Sequence, residues 1–222
     1  HMQLGMAWAC ECLWVPDYYP EEYEGDRGAF VMYWSSTVFD DADTAHDDNS
    51  VTSSVLWGAT TDFTQDTFEF GGVLIDTGGD SIDTTMVQRP LPDGGLRTYR
   101  ITKDNSFGNG IWMDYTDARR WWESDTQWHV IQRHIGANYV EDGNPGGPAV
   151  FANHHNNGGP DDEWYLFVDV IPSIGYKPMS TKDLDAGWHP LNAADYFLSP
   201  HTKHGGVASL TREEYERLIQ VL

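Results

Sequence analysis

The stretch "GAFVMYWSS" occupies residues 28–36, an apolar and β-branched run opened by a glycine and closed by serines. Such a run reads as a buried strand. Two further runs of the same character, "GLRTYRITKD" (95–104) and "EWYLFVDV" (163–170), place Tyr33, Tyr99 and Tyr165 at a constant interval of 66 residues. Outward from each, a polar loop leads to a strand ending in a Thr and Asp turn: "WGATTDF" (57–63), "WMDYTDA" (112–118) and "KPMSTKD" (177–183). A short aromatic-led strand follows each turn, at 68–74, 127–132 and 187–191. A four-strand meander repeated at this interval is the pattern of β-propeller blades.

Each blade needs one more strand nearest the axis. The candidates are 7–15, 81–88, 146–152 and 204–210, which begin near Glu11, Asp83, Gly146 and His204. In a propeller these starts converge on one mouth of the central channel, so a site is expected there. The expected architecture is all-β, an incomplete five-bladed propeller type of about four blades in one domain over 1–222. Blades span roughly 5–76, 80–140, 144–198 and a partial 202–222, and His1-Met2 reads as a tag remnant. The tail "TREEYERLIQVL" (211–222) is the one helix, with a Thr211/Glu214 capping box and an apolar stripe of Tyr215, Leu218, Ile219 and Leu222 expected to pack as a cover.

Thirty-five acidic against thirteen basic residues give a formal charge of -22, which repels a phosphate backbone and argues against a nucleic-acid partner. No apolar run approaches the roughly 20 residues of a membrane helix, so no membrane partner is expected either. Cys10 and Cys12 are two apart and share a strand face, where a bridge would be strained. Ten Trp supply both core and flat surfaces suited to sugar rings. The His- and acid-rich stretches 153–163 and 40–49 read as loops, because adjacent His154 and His155 face opposite ways on a strand and 40–49 lacks the Gly and closing Glu of a calcium loop. Trp121 or Trp122 of "RRWWESD" (119–125) is a candidate rim contact, with one of the pair expected to be buried.

Together the segments "AWACECLWVPDYYPEEYEGDRGAFVMYWSSTVFDD", "WGATTDF", "IDTTMVQ", "TYRITKDN", "GGPAVF", "EWYLFVD", "GYKPM" and "KHGGVASLTREEYERL" resemble the ordered motifs of glycoside hydrolase family 43, from about residue 7 to 220. The resemblance implies a five-bladed propeller with an axial pocket and inverting hydrolysis of arabinose- or xylose-containing plant polysaccharides (arabinan, arabinoxylan or xylan) by a secreted protein. It maps the Asp that tunes the acid onto Asp83, a histidine beside a central calcium or water site onto His204, and the sugar wall near Trp8 and Tyr176, with Glu11 and Gly146 also facing the substrate. No cofactor is required by this chemistry, a calcium ion on the axis being the one candidate.

Two departures set the expectation for activity. The family's base lies upstream of the Trp-Ala-Pro-Glu motif, within which this sequence begins, and the acid Glu of Glu-Gly-Pro is replaced by Gly146; Cys10 also stands for the motif's Pro. Glu141 and Asp142 are the nearby carboxylates that could stand in for the acid. Weak or no hydrolysis is expected, with a non-catalytic carbohydrate-binding propeller as the alternative, and open propeller edges invite self-association.

Overall fold

A computed structural model describes residues 3–106, 108, 110–137, 145–170 and 174–221. Three antiparallel meanders form. The first contains β1 (Gln3–Leu4), β2 (Trp8–Val15), β3 (Ala29–Phe39), β4 (Ser53–Thr60) and β5 (Glu69–Ile75), with β1 and β2 both pairing β3. The second contains β6 (Ser81–Pro90), β7 (Leu96–Asp104), β8 (Gly110–Thr116) and β9 (His129–Gln132). The third contains β10 (Gly146–Ala152), β11 (Trp164–Val170), β12 (Gly175–Thr181) and β13 (His189–Pro190). Each sheet runs in sequence order from an innermost to an outermost strand, as expected.

The sheets stack face to face, and two cores fill the gaps between them. Val15, Val31, Tyr33, Met86, Trp121 and Trp122 pack between the first and second sheets. Ile101, Met113, Val150, Leu166, Met179 and Trp188 pack between the second and third. Each fully buried side chain of this size contributes about 1.5–3 kcal/mol, so these seams orient the sheets around a common axis. Both Trp121 and Trp122 lie in the first seam, 1% exposed, so neither offers a rim surface.

Three expectations are corrected. Residues 204–210 form no strand and are exposed, because no neighbouring strand pairs their backbone; the described part of 202–222 contributes only α1 (Arg212–Ile219). That helix has the expected capping box but does not act as a cover: Tyr215, Leu218 and Ile219 are each about half exposed. Finally, the Tyr33 and Tyr99 positions are not equivalent. Counted from the start of each ladder, Tyr33 matches Ile101 and Phe167, so the 66-residue rhythm slips by two between the first sheets. A slip of two keeps a residue on the same face, which is why Tyr33 and Tyr99 are nonetheless both buried.

Candidate functional site

The innermost strands share one irregularity at their starts. The ladder slips between Trp8 and Glu11, between Ile82 and Thr85, and between Gly146 and Ala149. Within each slip one residue is left-handed: Ala9 at φ 50°, Asp83 at 54° and Gly147 at 46°. His204, in the irregular segment beyond the third sheet, has φ 42°. Bulges re-aim side chains, and a left-handed conformation in a non-glycine residue is strain that the surrounding structure must hold. Ala9, Asp83 and Gly147 are therefore the equivalent positions. Glu11 is not the counterpart of Asp83 but lies two residues further in, and Gly146 lies one residue before.

The second strand of each sheet supplies a polar side chain that grips the next bulge or its approach. Asp83 N donates to Ser35 Oγ at 2.9 Å, Lys103 Nζ donates to the Pro145 carbonyl at 2.8 Å, and His204 N donates to Asp169 Oδ2 at 3.2 Å. Ser35, Lys103 and Asp169 sit at matching registers, opposite Trp8, Ile82 and Gly146. This chain of latches draws the bulges together. His204 Nε2 reaches Asp83 Oδ2 at 3.2 Å and stands 3.9 Å from Asp169 Oδ2.

Around this cluster lie two adjoining hollows. One, of about 570 Å³, is walled by Trp8, Asp83, Lys103, Gly146, Asp169 and His204 among others; the other, of about 290 Å³, adds Glu11 and shares Ala9, Asp83 and His204 with the first. Convergence of Glu11, Asp83, Gly146 and His204 at one mouth is thus realised. Another hollow of about 450 Å³ lies at the far ends of β2 and β6, near Trp14, Gln88 and Leu96. Its titratable groups are Asp17, Asp117 and Arg119, with Arg119 already paired to Asp17, whereas five converge on the larger axial hollow: Asp83, Lys103, Asp169, Lys203 and His204.

Burial dominates the electrostatics of Glu11, whose carboxyl is pushed up to about 7 although Thr85 and Tyr33 hydroxyls donate to Oε2 at 2.9 and 3.2 Å. Lys103 is lowered by burial, against the attraction of Asp104, Asp83 and Asp169. His204 is raised, chiefly by its hydrogen bond to Asp83. Trp8, 57% exposed, offers a flat face at the wall. Tyr176 does not line either hollow: its hydroxyl accepts from Gly205 N and donates to the Gly205 carbonyl, so it props the 202–206 segment from behind.

Sequence reasoning missed Lys103 and Asp169. For Asp169 the available signal was a charge set in the otherwise apolar run "WYLFVDV", whereas Lys103 is one of several charges in "RTYRITKD" and carries no such mark. Gly146 leaves no proton donor at its position, and Glu141 and Asp142 lie outside the described residues. Among the described residues no group of three or more His, Cys, Asp or Glu side chains is arranged to hold a metal ion. A calcium ion takes six to eight oxygen ligands, whereas His204 offers an imidazole nitrogen already engaged with Asp83. This residue set does not fit calcium, and no chemical step is routed through it. What the site offers is a cup of carboxylates, an ammonium and an imidazole beside an aromatic face, able to take several hydroxyls by charge-assisted hydrogen bonds.

A family model described as a probable glycosyl hydrolase domain, related to family 43, matches residues 1–216. Among solved structures, a thermostable family-43 glycoside hydrolase is 12% identical with a TM-score of 0.48, over 74% of this chain and 51% of that one. An exo-β-1,3-galactanase from Phanerochaete chrysosporium, solved with galactose, is 13% identical with a TM-score of 0.44, over 72% of this chain and 31% of that one. The chain therefore spans about half the length of the first and about a third of the second. No curated protein matches the sequence.

Proposed function

The chain belongs to the glycosyl hydrolase domains related to family 43, and from that membership we propose that its axial hollow binds arabinose- or xylose-containing oligosaccharides, with hydrolysis impaired or absent in this chain. The three sheets are on this reading blades of a five-bladed type, and the protein acts outside the cell on plant polysaccharide. The observation that carries the reading is the meeting of Asp83, His204, Lys103 and Asp169 at one hollow with Trp8 on its wall. Asp83 orients His204 and accepts from the sugar, Glu11 lines the inner wall, and Trp8 stacks on the ring.

The non-catalytic alternative is favoured by Gly146. A positioned acid typically supplies about 10² to 10⁴ in rate, and residue 146 has no side chain to supply it. Two measurements on the unaltered protein decide. Calorimetry with arabino- and xylo-oligosaccharides is expected to show binding, and p-nitrophenyl arabinofuranoside and xyloside are expected to release little or no nitrophenol. Absence of binding across the panel overturns the saccharide reading, and turnover at ordinary glycosidase rates overturns the impairment. Self-association through the open face of β2 belongs to the same proposal, since Cys12 and Trp14 project on its exposed side, opposite Met32 and Phe30.

A further inference from the structure

We propose that Asp169 is a ligand-contacting carboxylate of the axial hollow, working beside Asp83, and that residues 146 and 147 are glycines because its carboxylate occupies the space their side chains would fill. The inference rests on the saccharide reading above and names a residue which that reading took from neither motif nor repeat.

Cross-strand geometry carries it. Gly146 and Asp169 are direct partners in the ladder between β10 and β11. A Cβ on Gly147 would stand 2.3 Å from Asp169 Oδ2, far inside contact distance, and that residue's φ of 46° already disfavours a side chain. At Gly146, which has no such conformation, a Cβ would stand 3.2 Å from Asp169 Oδ1, a tight approach. The two glycines thus open a slot in the innermost strand, and the carboxylate of the neighbouring strand fills it.

The two oxygens of Asp169 have separate duties. Oδ2 accepts from His204 N and faces His204 Nε2. That contact alone would make Asp169 a latch like Ser35 and Lys103. Oδ1 has no hydrogen-bond partner among the described residues. Asp169 is 1% exposed, yet among the described residues the fully buried side-chain atoms left without a partner are Arg100 Nη1 and the indole nitrogens of Trp121 and Trp122, and Oδ1 is not one of them. Asp169 borders the larger hollow, and its unclaimed oxygen is the acceptor it can offer to a ligand there. Asp83 is arranged alike, with Oδ2 held by His204 and its other oxygen without a hydrogen-bond partner among the described residues. Two carboxylates flank one imidazole, each with an acceptor left for a sugar hydroxyl.

The test is calorimetry with xylotetraose and arabinotriose on the full chain and on Asp169→Asn, Gly146→Ala and their double variant. Asp169→Asn keeps the shape and an acceptor for His204 N, so the melting temperature is expected to stay within a few degrees while affinity falls by about 10-fold or more, the cost of losing a charge-assisted hydrogen bond. Gly146→Ala crowds Oδ1 without touching the Oδ2 latch and is expected to weaken binding as well. If that loss runs through Asp169, the double variant binds no worse than Asp169→Asn alone. Wild-type affinity in Asp169→Asn, or losses that add in the double variant, overturns the proposal while leaving the saccharide reading intact. Failure of the unaltered chain to bind either sugar overturns both. Should Asp169→Asn not fold, wild-type affinity in Gly146→Ala is the overturning result.

Discussion

Glu11 shows how a residue's chemistry follows from two residues of displacement. Placed at the bulge like Asp83 it would face the larger hollow; two positions further in, it is set against Thr85 and the fully buried Tyr33. Burial raises its pKa to about 7 from an ordinary 4.5. For a carboxyl raised in the folded state, the folded form holds its proton where the unfolded chain has lost it. The resulting stability is complete below pH 4.5 and is lost as pH rises to about 7. With solvent screening allowed for, the loss is on the order of 2 kcal/mol. Urea denaturation at pH 4.5 and pH 7.5 is expected to show a decline attributable to this group in the wild type and its absence in Glu11→Gln; equal slopes in both proteins would count against a buried, protonated Glu11. Residue types at the axis were legible in the sequence because Asp83 and Gly146 lie at the starts of repeated strands, whereas His204 reaches the axis from a segment that forms no strand. Their exact partners were not, since a bulge moves neighbours by one or two positions and leaves no mark in composition.

Strands were legible because alternation and turn residues act locally, and all three meanders follow the expected order. Register between sheets was not, because it depends on latches that join residues 48, 42 and 35 positions apart. The Lys103 latch is the most exacting of these. Its ammonium is buried, bonded to the Pro145 carbonyl and set among Asp83, Asp104 and Asp169, so removing it leaves buried carboxylates without their cation. Lys103→Met, which preserves the aliphatic stem, is expected to destabilise the protein by about 3 kcal/mol, whereas Ser35→Ala costs about 1 kcal/mol. Chemical denaturation of the two variants measures the contrast, and equal small losses would mean that Lys103 acts as an ordinary hydrogen-bond donor. The tail helix illustrates the opposite case. Its capping box satisfies the first turn from within the helix, so α1 forms as the sequence expects although its apolar stripe is left uncovered.

Charge and exposed apolar surface oppose each other across the whole molecule. A formal charge of -22 drives copies apart, while β2 beyond its bulge puts Cys12 and Trp14 on one uncovered face. The balance depends on ionic strength, because the screening length falls from about 30 Å at 0.01 M salt to about 3 Å at 1 M. At low salt the repulsion reaches well beyond the stripe and keeps copies separate. At high salt the repulsion is confined to contact distance, and burying the Trp14 side chain of each copy favours association. The scattered mass is therefore expected to be that of a monomer near 0.01 M sodium chloride and to rise with salt under reducing conditions, which exclude bridging through the two free thiols. Replacing Trp14 with Glu should abolish that rise without altering the low-salt mass. A mass that stays monomeric at 1 M salt would show that the open face of β2 is tolerated by the single chain, and a mass that is already doubled at 0.01 M would show that the contact overcomes the full charge of both copies.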